Sequence, residues 1–211
     1  MRHVKKLFKD YMVLLAVKID KTSKGKITAF HVTTLSLVGH VFVFAALLTS
    51  KPILAAILLG FFSALDALDG ALARTQNKAS LKGMYYDAVA DRIKEIILYT
   101  GIAIFALNSS AQDLAWQVVI LCGTSLLVSY TKAKGEMAIS AKSSDAQKLN
   151  RAFGVGIASY EIRTVVLLIS LLFNILVYTV PILIIATSAT AITRALAVAK
   201  ALNKIDRHVQ N

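Results

Sequence analysis

Four aspartates stand in two pairs inside otherwise apolar sequence: Asp66 with Asp69, and Asp87 with Asp91. The first pair is spaced i,i+3 and the second i,i+4, so on helices each pair shares one face. Carboxylates gathered in this way form an oxygen cage suited to a hard divalent cation, Mg²⁺ or Mn²⁺. Two such ions side by side are the arrangement of phosphoryl-transfer sites. Neighbouring residues point to phosphate as the second partner of the metals. Gly70 removes a side chain beside Asp69 and permits close approach of a ligand. Arg74, one helical turn on, offers a planar fork for phosphate oxygens. Gly83 opens the next helical stretch, where free backbone N–H groups and the helix dipole favour an anion.

The elements that must carry these residues are membrane helices. Of 211 residues, 56% are hydrophobic and 17% charged, and the mean hydropathy is +0.64. A soluble domain holds roughly 25% charged residues. The balance, with the apolar residues in long runs, excludes a soluble globular enzyme, a disordered chain and a secreted disulfide scaffold. Cys122 is the single cysteine, so no intrachain disulfide forms. Two prolines and ten glycines are too few for the turns of a β-barrel. The net charge of +12 suits anionic headgroups and cytoplasmic loops, not nucleic acid. The opening residues mix basic and apolar types without the pattern of a cleavable signal peptide.

Six apolar runs approach the roughly 20 residues that a bilayer requires: Phe30–Leu48, Pro52–Ala73, Met84–Leu107, Asp113–Tyr130, Gly154–Tyr178 and Val180–Val198. Before them, Met1–Val17 places Val4, Leu7, Phe8, Tyr11, Met12 and Leu15 at helical spacing among basic residues, as in a helix lying on a membrane surface. A polar linker, Lys18–Lys26, follows. The expected fold is an all-α integral membrane protein of six transmembrane helices preceded by an N-terminal amphipathic surface helix. It forms one domain over residues 1–211, with juxtamembrane helix and linker at 1–26 and the bundle at 27–200.

Lysine and arginine concentrate in the N-terminal segment, the 74–83 and 132–151 loops and the C-terminal tail, whereas the 49–51, 108–112 and 178–180 connections contain only Lys51. The positive-inside rule then predicts a multi-pass protein of the cell membrane with both termini and both basic loops cytoplasmic. The second and third spans become antiparallel, joined by the 74–83 loop. The two aspartate pairs therefore share a depth near the cytoplasmic side.

The stretch Asp66-Ala-Leu-Asp69-Gly70-Ala-Leu-Ala73-Arg74, followed after eight residues by Gly83-Met-Tyr-Tyr-Asp87-Ala-Val-Ala-Asp91, resembles the signature of the CDP-alcohol phosphatidyltransferase family, D-x2-D-G-x2-A-R-x8-G-x3-D-x3-D. Every fixed position matches. The resemblance implies a phospholipid-synthesis transferase that moves a phosphatidyl-type group from a CDP-activated lipid to an alcohol and releases CMP. It implies two Mg²⁺ or Mn²⁺ ions held by Asp66, Asp69, Asp87 and Asp91, with Asp91 taking the proton of the acceptor hydroxyl. It also implies a homodimer. The alternative of another class, a divalent-cation transporter, would use the same cage but has no need of the Arg74 fork.

By the same resemblance, the CDP group meets Gly70, Arg74, Ser80, Gly83 and the segment opening the first span, Thr28-Ala29-Phe30-His31-Val32-Thr33. The family usually has Thr-Pro-Asn-x-x-Thr there; Ala29 and Phe30 replace Pro-Asn, which removes side-chain recognition of cytidine by that Asn. The acceptor is read from Ser129-Tyr130-Thr131-Lys132-Ala133-Lys134-Gly135-Glu136 and from Arg163, which resemble the inositol-phosphate-accepting branch. A phosphorylated acceptor needs a fixed cationic pocket, expected from Lys132, Lys134, Arg151 and Arg163. Lys132, Lys134 and Arg151 would equally satisfy cytoplasmic loop bias; Arg163 is costlier to place in an apolar span. Glycerol 3-phosphate, serine and inositol are the alternative acceptors.

Overall fold

The computed structural model describes residues 2–140 and 158–210, and among them every regular element is an α-helix. They are α1 (Arg2–Ser23), α2 (Ala29–Leu48), α3 (Pro52–Thr75), α4 (Leu81–Leu107), α5 (Leu114–Ser140), α6 (Tyr160–Phe173) and α7 (Leu176–Gln210). They form two compact units, the first ending at Phe105 and the second beginning at Ala106. Four of them, α2, α3, α5 and α7, are long and apolar enough to cross a membrane. α4 carries Lys82, Asp87, Asp91, Arg92, Lys94 and Glu95 between its start and its middle turn, and α6 has only 14 residues.

In the first unit, α1 runs past the expected Val17 to Ser23 and stops where Lys24 and Gly25 turn left-handed, at φ 51° and 73°. Met12 and Ala16 are buried against Val32 of α2 and Leu68, Ala71 and Leu72 of α3; Leu7, Phe8, Tyr11 and Leu14 are exposed. α2 and α3 pack closely because Gly39 has no side chain. A Cβ there would lie 2.1 Å from the Phe62 ring. The Ser36 hydroxyl donates to the Phe62 carbonyl at 2.9 Å. His40 is buried with Nδ1 at 2.9 Å from the Ser36 carbonyl, so it is satisfied by its own helix. The outward positions of α2 and α3, such as Val41, Phe42, Ile57 and Phe61, are apolar and exposed, as expected of side chains that meet lipid.

In the second unit, α5 and α7 pack along their length. Gly135 admits Val198, which a Cβ would meet at 2.5 Å, and the Thr124 and Thr187 hydroxyls bond at 2.8 Å. Such small and hydroxyl side chains hold helices together where lipid removes the hydrophobic drive. Two sequence boundaries move. α5 does not end at Tyr130 but continues to Ser140, because Lys, Ala, Glu and Met are good helix formers even after the apolar run stops. The connection expected at 178–180 falls instead at Asn174–Ile175. Asn174 adopts the left-handed conformation, φ 53°, at the C-cap of α6, a role that Asn tolerates better than most residues.

Candidate active site

The start of α2, the end of α3 and the start of α4 enclose a cavity of about 480 Å³, within the range of small-molecule sites. From α2 it is lined by Thr28, Ala29, Phe30 and Thr33; from α3 by Asp69, Gly70, Ala73 and Arg74. Ser80, Gly83, Tyr86 and Asp87 complete it at the start of α4. Sequence segments some forty residues apart thus meet around one space. A second cavity of about 260 Å³, between α1 and α3, shares Gly70 and Arg74 and adds Phe8, Met12 and Asp66.

Local structure explains how each side chain arrives. Thr28 caps α2, with its N–H 3.2 Å and its hydroxyl 2.8 Å from His31 Nδ1. His31 is therefore occupied by the cap and does not line the cavity. Val32 turns the other way, into the α1–α3 core. Ser80 precedes α4, and its Oγ accepts the Gly83 N–H at 3.1 Å. That corrects the expectation of a free N–H at Gly83. α4 begins two residues earlier, at Leu81, so the serine side chain satisfies the donor. A Cβ at Gly70 would meet only the Arg74 guanidinium, at 3.5 Å; packing does not require the glycine, so its freedom serves the cavity.

The four aspartates occupy different environments. Asp69 is buried and its Oδ2 accepts the Thr33 hydroxyl at 2.5 Å. Asp87 faces the large cavity. Asp66 Oδ1 lies 2.6 Å from the Lys94 ammonium, and Asp91 Oδ1 lies 2.8 Å from it. Arg92 stands 3.9 Å from Asp91 Oδ2 and pairs closely with Glu95. Among the described residues, no three His, Cys, Asp or Glu side chains close on a common point that could hold a metal ion. Yet Asp66 Oδ2 is buried without a hydrogen-bond partner, an open acceptor of the kind a cation satisfies. All-oxygen donors also have the right hardness for Mg²⁺ or Mn²⁺. The residues fit such an ion chemically, and a lysine already contributes positive charge among them.

The residues expected to bind an acceptor phosphate belong to the second unit. Lys132 and Lys134 are exposed on the continued α5 and, being two apart, leave the helix about 200° from one another. Lys132 lies 3.7 Å from Glu136, and Lys134 sits 5.8 Å from the centre of the Tyr130 ring. Arg163 is only 1% exposed, and its Nη1 donates to the Ala158 carbonyl at 2.6 Å. Arg151 lies outside the described residues. Arg194 of α7 was not singled out from sequence; it is buried and donates to the Val128 carbonyl at 3.0 Å.

Lys94, Tyr86 and Gln76 were also missed. Gln76 reaches Asp20 of α1 and the Ile27 carbonyl of the α1–α2 linker, each at 2.8 Å, tying both to the end of α3. Tyr86 stacks on Phe30 with ring centres 4.6 Å apart. For Lys94 a signal existed: it follows Asp91 by three residues, an i,i+3 ion-pair spacing. Arg92 and Glu95 offered competing pairings.

Comparison with known proteins accords with this geometry. A stretch of 123 residues, 58% of this chain and 57% of the relative, is 35% identical to the archaetidylinositol phosphate synthase of Pyrococcus horikoshii. Another of 90 residues, 42% of this chain and 41% of the relative, is 36% identical to the phosphatidylinositol phosphate synthase of Corynebacterium glutamicum. These matches span about half the length of the relatives or less. The crystal structure of the Mycobacterium tuberculosis phosphatidylinositol phosphate synthase with CDP-DAG bound superposes with a TM-score of 0.65 at 22% identity, covering 92% of both chains. The same enzyme with manganese and citrate gives 0.65 at 21% identity, covering 92% of this chain and 88% of that one. Those two likenesses establish the fold. The family model for CDP-alcohol phosphatidyltransferase matches residues 26–202, nearly the whole of the transmembrane region with the aspartates and their cavity, and the chain belongs to that family.

Proposed function

We propose that this protein transfers a phosphatidyl-type group from a CDP-activated lipid to an inositol phosphate and releases CMP. The observation that carries it is the cavity in which Asp69, Gly70, Arg74, Ser80, Gly83 and Asp87 meet the start of α2. The Arg74 fork and the α2 N-terminus bind the diphosphate, and Phe30 with Tyr86 lines the wall. Asp66, Asp69, Asp87 and Asp91 hold divalent cations, two Mg²⁺ or Mn²⁺. Such ions, when bound, neutralise charge on the CMP leaving group. Asp91 orients the acceptor hydroxyl and takes its proton as the new oxygen–phosphorus bond forms and the bond to the CMP oxygen breaks. Arg163 holds the acceptor's phosphate, with Lys132, Lys134 and Arg151 supplying further positive charge. The inositol-phosphate choice is supported by the relatives' names. The deciding experiment is CMP release from a CDP-lipid by purified protein, screened over inositol phosphate, glycerol 3-phosphate, serine and inositol. Fastest release with any acceptor other than inositol phosphate would refute the acceptor assignment, and no release with any would refute the transferase.

Gly70→Ala separates cavity from fold. The helix gains up to about 1 kcal/mol in propensity, and the new methyl meets only Arg74. The variant should melt no lower than the parent, while the KM for CDP-lipid rises about tenfold through lost ligand space. A normal KM would remove Gly70 from the lipid site.

We further read the chain as one six-span domain over 1–211, a homodimer in the cell membrane. α1 lies on the cytoplasmic surface, and both termini and the aspartates are cytoplasmic. The basic loops support this orientation. In a Cys122→Ala background, Ser109→Cys should react with an impermeant thiol reagent only from outside. Reaction only from the cytoplasm would invert the topology and put the aspartates on the wrong side.

A further inference from the structure

Lys94 is fully buried, and its ammonium lies 2.6 Å from Asp66 on α3 and 2.8 Å from Asp91 on its own helix. Both partners belong to the aspartate set to which a divalent cation is assigned above. An ammonium is a compact point charge with three donors and no acceptor. It therefore sits against one oxygen of each carboxylate, Asp66 Oδ1 and Asp91 Oδ1, and competes with a metal for their negative charge, while Asp66 Oδ2 stays open. Burial without them would leave the lysine unpaired, and removal of the lysine would take the ion-pair partner from Asp66 and leave Asp91 with Arg92 at 3.9 Å. Nor can a divalent ion enter beside it at no cost, since like charges a few ångströms apart repel strongly in a dry site.

We propose that Lys94 is a tethered counter-ion of the metal site. It clasps α3 to α4 through Asp66 and Asp91 while metal is absent. A divalent ion at the open Asp66 Oδ2 would have to share that carboxylate with the ammonium on Oδ1, so that the lysine lowers the affinity of the site for metal. Lys94 is thus a positioning residue for the two aspartates, not a group that touches substrate. This inference rests on the metal-binding role proposed for the aspartates, and the test distinguishes the two.

Mn²⁺ binding is measured by electron paramagnetic resonance on the purified full chain in detergent, without lipid or acceptor, alongside thermal unfolding with and without Mn²⁺. Asp69→Asn reports on the metal role: Mn²⁺ bound by the parent should be weakened in this variant. A parent that binds none, or an Asp69→Asn variant that binds as well, overturns the metal role and this inference with it. Lys94→Met should bind Mn²⁺ about tenfold more tightly or better, because a competing charge has gone. Its melting temperature should fall without metal and recover at saturating Mn²⁺. Lys94→Gln keeps donors to both carboxylates without charge; it should show the same tightening with a smaller loss of stability, which guards against misfolding of the methionine variant. If the parent binds Mn²⁺ through Asp69 while folded Lys94→Gln binds it no more tightly, Lys94 is a structural helix clasp and not a competitor for metal.

Discussion

Asp91→Asn is expected to lower turnover by roughly 10²–10⁴-fold, the usual contribution of a positioned general base. The amide keeps the size of the side chain but gives up the charge that pairs with the Lys94 ammonium, 2.8 Å away in the parent. It also loses the capacity to take the acceptor's proton. CDP-lipid binding, proposed above for the cavity lined by Thr28, Gly70, Arg74 and Ser80, should stay measurable by filtration or calorimetry. Because Asp91 is also assigned a share of the metal, Mn²⁺ binding must be recorded on the same preparation. Lost turnover with Mn²⁺ retained isolates proton transfer. Parent-like turnover would exclude Asp91 as the base.

The second large effect is expected at Arg163→Ala. A charge-assisted contact to phosphate in a partly desolvated pocket is worth about 1.5–3 kcal/mol, or roughly ten- to a hundredfold. The proposed contact is to the acceptor's phosphate and not to its reacting hydroxyl, so the loss should fall mainly on the acceptor KM. Arg163 also donates to the Ala158 carbonyl just before α6, so the variant will lose some stability whatever its role. Two readouts separate the effects: the melting temperature records the lost carbonyl bond, and the acceptor KM relative to the CDP-lipid KM records the phosphate contact. If both KM values rise together, or the acceptor KM does not move, Arg163 is structural. Serine or free inositol then becomes the better acceptor, since neither brings a phosphate.

Features set by neighbours along one helix were legible before any fold was known. The aspartate pairs, the Arg74 fork and the apolar runs of α2, α3 and α4 all depend on spacings of three or four residues or on lengths of about 20. Those boundaries agree to within three residues at each end. The ends of α5 and α6 moved further, because a helix is stopped by a capping conformation, such as the left-handed Asn174, and not by a change of polarity. The fate of side chains that reach across helices was not legible at all. His31 and Val32 sit within the segment that resembles the CDP contact, yet one caps α2 and the other packs on Met12 and Leu68. Lys94 had a carboxylate at i−3 and another at i+1 on its own helix. Its ammonium took Asp66 of α3 together with Asp91. Buried charge goes where opposite charge is densest in space, and that density is a property of how α3 and α4 stand together, not of either helix alone.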